Sequence, residues 1–378
     1  MSRLKTVKPE QEKVKKERSA KKLSKNKSAA LVSALIVVVA CAALLVWALP
    51  HLPVKPQTEQ PIGYQGIVEM WNVESFEGGV GSREAWLINR AAKFEEANKG
   101  LFVHVTTLTV EQVEAKLAEG QTFDMICFSR GVGNLVKEKL VAYTGSIGTI
   151  RDNYLISGVL EGQQYAVPLY SGAYCLFART EQLAADRLLA DALTTKYTRK
   201  IGKNTIELQP LVCGFTPYNS PLSALALSGG KGKASVNEQT TQYQAYEQFV
   251  ANKTAVTLLG TQRDMYRLSQ RENNGKIDKL GFAPLTGYTD LVQYVAVSSS
   301  AGAKAESCTQ FIEYLTSDEA QSSLVNLSMF SVLDASFYTS DRYVKCESTL
   351  GTAYVPNVFG DADAIANQRA TARATLNM

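Results

Sequence analysis

The apolar positions of this chain change their period three times. Ala29 to Leu49 is one uncharged run of 21 residues. Residues 50–65, PHLPVKPQTEQPIGYQ, follow with no apolar period at all. From Gly66 onward, short β-like apolar runs alternate with stretches in which apolar residues recur every three or four positions. Gly66–Trp71 predicts a strand, and Ser82 predicts the cap of a helix carrying Leu87, Ala91 and Phe94 on one face, closed by Gly100. Leu101–Thr106 is a second strand. Thr109 to Gln112 form a capping box for a helix with Val110, Val113 and Leu117 together and Gly120 at its end. Phe123–Phe128 is a third strand. This β-α-β-α-β alternation predicts an α/β fold built on a parallel sheet covered on both faces.

Charge changes how the first run is understood. Residues 1–27 hold eleven Lys/Arg against three Glu, a net +8. As a helix rising about 1.5 Å per residue, Ala29–Leu49 spans about 31 Å, close to a bilayer core of about 30 Å. The excess of Lys and Arg before it predicts a basic cytoplasmic tail (1–28), a single-pass transmembrane helix (29–49) and an extracellular remainder. Residues 50–65 then form a semi-extended spacer, and 66–378 the outer domain. The alternative is a lipoprotein acylated at Cys41, within Val38-Val39-Ala40-Cys41. The run stays apolar to Leu49, which favours the uncleaved helix. Residues 28–378 retain 29 basic and 33 acidic side chains, so the whole-chain charge of +4 conceals a mildly acidic exterior with no nucleic-acid footprint.

In a sheet of this kind ligands sit beyond the carboxyl ends of the strands. The connection after the first strand, Asn72 to Gly81, is longer than such turns need. It carries Glu74 and Phe76 together with Gly78, Gly79 and Gly81, just after Trp71. Glycines there allow close backbone approach, while Trp71, Glu74 and Phe76 offer a flat apolar face beside an acceptor. Trp71 equally suits a core position. Ser129-Arg130-Gly131-Val132-Gly133 leaves the third strand at the same edge and adds Arg130 as a polar candidate.

Catalytic chemistry is sparse. His51 and His104 are the only histidines, and GxSxG, HExxH and GxxxxGK[ST] are missing. Glu74 and Glu77 share one short loop, whereas glycoside hydrolysis needs carboxyls on opposite sides of a bond. No catalytic residue, metal site or cofactor is expected. Cys127, Cys175, Cys213, Cys308 and Cys346 form no CxxC pair, and five is an odd number.

The run WLINRAAKFEEANKGLFVHV followed by KLAEGQTFDMICF resembles the N-terminal lobe of family-1 extracellular solute-binding proteins of ABC transporters, the sugar-binding type. Tyr165–Tyr174 resembles that family's segment crossing between lobes. Phe249–Val256 with Leu259-Gly260-Thr261 resembles its F-x-x-G-K-x-A-M strand and following loop, and Thr309–Ser317 with Glu319-Ala320-Gln321 its late helices. Phe123 stands where the family has Pro, and Ala178-Arg179-Thr180 replaces its usual Asn-Lys. The resemblance spans about Gly66 to Leu333. It implies two α/β lobes exchanging near 165–178 and 284–297, a cleft between them, a sugar or oligosaccharide ligand, and ABC permease partners. A sensor or envelope interaction protein on the same fold, uncoupled from transport, is the alternative. Aromatic faces for sugar stacking are then expected from Trp71, Tyr170, Tyr174, Tyr218 and Tyr288. Thr261, Arg263 and Asp264 join Arg130 as hydrogen-bonding candidates. Tyr243 and Tyr246 are expected to pack beside Phe249.

Overall fold

The computed structural model describes residues 63–378, apart from 180–186, 188, 191–196, 231–235 and 253. The tail, the expected transmembrane helix and all but the end of the spacer lie outside the described residues. Among those described, no helix is long and apolar enough to cross a membrane.

Alternation in β1 (Gly66–Val73) leaves Ile67 exposed and Val68 buried, and from Met70 the strand is enclosed on both faces. Ser82 Oγ accepts from the Ala85 N–H at 3.1 Å and opens α1 (Arg83–Ala97), whose buried face carries Trp86, Leu87, Ala91 and Phe94. β2 (Leu101–Leu108) lies parallel to β1. The capping box at the start of α2 (Val110–Ala118) is complete, Thr109 and Gln112 each bonding the other's backbone N–H. β3 (Met125–Phe128) then pairs parallel to β1 on its other side.

After α3 (Asp152–Ile156), β4 (Val167–Ser171) runs towards the second lobe, which the chain enters through Gly172 and Ala173. There β5 (Tyr174–Ala178), β6 (Tyr197–Ile201), β7 (Asn204–Cys213), β8 (Ala255–Thr261) and β9 (Gly281–Pro284) form a second sheet in the order β9-β5-β8-β7-β6. Helices α4 (Pro221–Leu227), α5 (Gln242–Glu247) and α6 (Gln262–Asn273) belong to this half. Tyr246 is buried, with the Arg267 and Arg271 guanidinium groups over its ring, whereas Tyr243 is exposed rather than packed.

Residues 285–291 return the chain to the first lobe, where β10 (Val292–Val297) completes the order β2-β1-β3-β10-β4. The sheet is therefore mixed, not purely parallel. β10 is antiparallel to β3 and β4 because it enters from the neighbouring lobe, at the end where the parallel strands finish. α7 (Ala305–Leu315) packs on α1 through Phe311, whose ring centroid lies 5.0 Å from that of Phe94. The tail then laces both lobes. Phe330 exchanges backbone hydrogen bonds with Ser171, α8 (Asp341–Glu347) sits against β9, and the Val358 N–H donates to Ser157 O. Finally α9 (Ala362–Thr375) packs on α4.

Candidate ligand crevice between the lobes

β1, β3, β4, β7, β8 and β9 all finish at the seam between the sheets, so their following loops face one another. The loop after β1 is spent on contacts within the protein. Arg83 Nη2 donates to Glu74 Oε2 at 2.8 Å and to Phe76 O at 2.7 Å, and its guanidinium lies 4.8 Å from the centroid of the buried Phe76 ring. Gly79 permits close approach, as its composition suggests, but the neighbour is the chain itself. A Cβ there would collide with Leu327 O, and the adjacent Val80 N–H donates to that oxygen at 2.6 Å.

Glu77 reaches across the seam. Its Oε1 lies 3.0 Å from Arg263 Nε and 3.5 Å from Arg267 Nη2, and Gln262 Nε2 donates to its backbone O at 3.2 Å. Burial raises the Glu77 carboxyl above its usual range, opposed by Arg263, Arg267 and Arg83. Asp264 stands beside this latch, accepting from the Thr261 N–H at 3.0 Å while Thr261 Oγ1 caps α6. Burial first, and the Glu77 charge second, push Asp264 up to about 7.

Trp71 is 5% exposed, its ring centroid 4.8 Å from that of Phe123. The structure thus takes the core alternative for this residue. Tyr170 is also interior, edge-on to Trp86 with centroids 5.9 Å apart. Tyr174 and Tyr288 are buried donors, and the Tyr288 ring stacks on Tyr354, with centroids 6.1 Å apart, rather than facing open space. Tyr174 OH donates to Asp290 Oδ1 at 2.7 Å, Tyr288 OH to Oδ2 at 2.8 Å, and the Ser220 N–H to Oδ2 at 2.7 Å. Burial pushes the Asp290 carboxyl up, and these donors together with the Arg130 charge pull it back. The same burial and the adjacent carboxyl hold both phenols well above their ordinary range. Tyr218 covers Gly131, where the backbone is left-handed (φ +94°) and a side chain would enter the ring. The crossing between β4 and β5 passes directly between the lobes, so both halves enclose the tyrosines at its ends.

Arg130 joins this knot to open space. Its Nη1 donates to Gln368 Oε1 at 2.7 Å and to Tyr288 OH at 3.1 Å, and lies 3.9 Å from Asp290 Oδ2. A crevice of about 670 Å³ begins there, walled by Arg130 from the first lobe, Ser223 and Leu227 of α4 from the second, and Tyr354, Asn357 and Gln368 from the tail. That volume lies within the ordinary range of small-molecule sites. Arg130 Nε and Ser223 Oγ are buried without a hydrogen-bond partner among the described residues. Such atoms are costly when nothing pairs with them. Of the candidate residues from the sequence, Arg130 is the one that lines this crevice. Tyr354, Asn357 and Gln368 escaped because no local pattern ties a segment this late to the ends of strands far upstream. Only the Asp361 cap of α9 was a usable local signal.

The family model for bacterial extracellular solute-binding proteins matches residues 80–322, well over half of the sequence. The chain belongs to that family. Family membership makes this solute-binding protein a binding protein and not an enzyme, and makes its folded domain an extracellular one. Among solved structures, the sugar-binding protein MalE of Xanthomonas citri is 12% identical with a TM-score of 0.58, covering 82% of this chain and 92% of that one. Maltose-bound MalE3 of T. maritima is 14% identical (TM-score 0.52, covering 82% and 100%). MalE of Bdellovibrio bacteriovorus bound to maltotriose is 13% identical (TM-score 0.52, covering 83% and 100%). Likenesses at these identities establish the two-lobed α/β fold. No curated protein matches the chain.

Proposed function

We propose that this solute-binding protein captures a carbohydrate in the crevice at Arg130 and presents it to an ABC permease, tethered to the membrane through residues 29–49. The observation that carries the reading is the crevice itself. Both lobes wall it, and two of its lining residues, Arg130 and Ser223, each carry a buried polar atom without a hydrogen-bond partner among the described residues. Sugars suit such a lining because their C–H faces stack on aromatic rings while a few polar groups fix their hydroxyls. Tyr354, 57% exposed, supplies the ring, and Asn357, Gln368 and Thr371 add amide and hydroxyl groups. Maltose and maltotriose in the relatives' structures point the same way, as does the uncharged run after a +8 tail for the tether.

Full-length protein in detergent, titrated with maltose, maltotriose and a panel of neutral oligosaccharides, tests this. At least one should raise the melting temperature. Tyr354→Ala should then weaken it by about 0.5–1.5 kcal/mol, roughly two- to tenfold in affinity, with little change in stability. Absence of binding by every saccharide, or full affinity in Tyr354→Ala, would overturn the reading. Stimulation of a permease ATPase by the loaded protein separates transport from a sensor role.

A further inference from the structure

Cys175 is the second residue of β5, paired in register with Gly260 of β8 and Pro284 of β9, inside the second sheet. Cys346 lies near the end of α8, the helix that brings the tail onto this lobe. Their chain positions are 171 residues apart, yet the two sulfurs lie 3.5 Å from each other, in van der Waals contact, and both side chains are fully buried. α8 is held in place from several directions. Arg342 makes a two-pronged contact with Glu272 at 2.7 and 2.9 Å, and Glu347 accepts from Ser336 Oγ and from the Phe337 N–H. The thiols are therefore brought together by packing that does not depend on them.

From this geometry we infer that Cys175 and Cys346 form a disulfide in the exported protein, locking the C-terminal strap onto the strand that leads out of the lobe crossing. An extracellular domain matures where disulfides persist. A bond of about 2.05 Å needs the sulfurs to close by about 1.5 Å, within reach of small side-chain rotations. The chemistry is thiol–disulfide exchange with an oxidised dithiol carrier or a low-molecular-weight disulfide. One thiolate attacks a carrier sulfur and releases the first carrier thiol. The second thiolate then displaces the other, so two protein thiols lose two electrons and two protons while one carrier disulfide becomes two thiols. Burial drives the Cys175 thiol far above its ordinary range, so exchange takes place in the newly exported chain before α8 docks. Cys127, Cys213 and Cys308 are buried on separate elements and remain thiols, which accounts for the odd cysteine.

The strap matters to the site because Tyr354, Asn357 and α9 follow α8, while Tyr174, the neighbour of Cys175, holds Asp290. The link would anchor the crevice wall and the buried knot to the same strand. It would also close a long loop in the unfolded chain, which disfavours unfolding.

The test uses full-length protein extracted from membranes into denaturant with an alkylating agent, digested without reduction and mapped by mass spectrometry. A peptide pair joined through Cys175 and Cys346, with Cys127, Cys213 and Cys308 alkylated, is the expected result. Alkylation of both Cys175 and Cys346 without prior reduction would overturn the proposal. In a second arm, a reducing phosphine should lower the melting temperature of the wild type by several degrees and leave a Cys175→Ala/Cys346→Ala variant unmoved. An equal response in the two proteins would overturn the locking role, and should the variant not fold, the wild-type map still decides whether the bond exists.

Discussion

The two ends of the interlobe seam are built from similar chemistry and differ in what lies beside them. At one end Glu77 meets Arg263 and Arg267, and the loop carrying it is pinned by Arg83 and Leu327, with Glu77 Oε2 and Arg83 Nη1 buried without a hydrogen-bond partner among the described residues. At the other end Arg130 also faces a carboxylate, Asp290, but that carboxylate is already held by Tyr174, Tyr288 and Ser220. Arg130 Nε has no hydrogen-bond partner among the described residues, and the residue lines an open crevice. A glycine-rich loop with an aromatic and two acids therefore does not identify a binding site by composition. What identifies one is polar capacity left unfilled next to a void.

Trp71→Ala gives the largest effect that would break this comparison. With Trp71 packed on Phe123, the substitution should cost about 3–5 kcal/mol of folding stability and leave affinity at the crevice unchanged in the folded fraction. Denaturant unfolding and ligand titration on one preparation check it. A variant of normal stability with poor binding would move the site back to the closed end.

The latch offers a sharper test through pH. Asp264 titrates near 7 in the folded protein against about 3.8 when free, so between those values the folded state binds more protons than the unfolded one. Stability from this group accordingly falls as pH rises through that window, by up to about 1.4 kcal/mol per pH unit. Glu77, raised in the same direction, adds to the slope, and Arg263 and Arg267 oppose both. Asp264→Asn can keep the bond from the Thr261 N–H while removing the titration. Its stability relative to wild type should therefore be higher at about pH 8 than at about pH 5. A difference that does not change with pH would show that Asp264 is ionised throughout.

Glu77→Gln should produce the smallest change. Its arginine partners are partly exposed, and an ion pair of that kind contributes about 0.2–1 kcal/mol, less at high salt. Melting in low and high salt measures it. A loss well above that range would mean that the latch, and not the lacing tail, holds the lobes together.

Much of the first lobe was legible because its signals are local. Ser82 and Thr109 cap the helices they were expected to cap, since a side-chain oxygen three residues before an unpaired N–H needs nothing from the rest of the chain. The parallel pairing of β1, β2 and β3 likewise follows from short strands separated by helices. Ordered segments such as Tyr165–Tyr174 carried the family resemblance, and with it the two lobes and a binding role. Local pattern could not say which way β10 would run, because its direction depends on the lobe from which the chain returns.

The sequence by itself determined the caps, the strand and helix succession of the first lobe and membership of a two-lobed binding family, all of which rest on neighbouring residues or on ordered motifs. Tertiary structure alone decided that Trp71, Tyr170, Tyr174 and Tyr288 lie inside, that Arg130 opens onto a crevice, and that Tyr354 and Gln368 wall it. It also decided that Cys175 meets Cys346. Burial and spare hydrogen-bonding capacity are properties of groups brought together from distant parts of the chain, and a linear pattern does not encode which groups those will be.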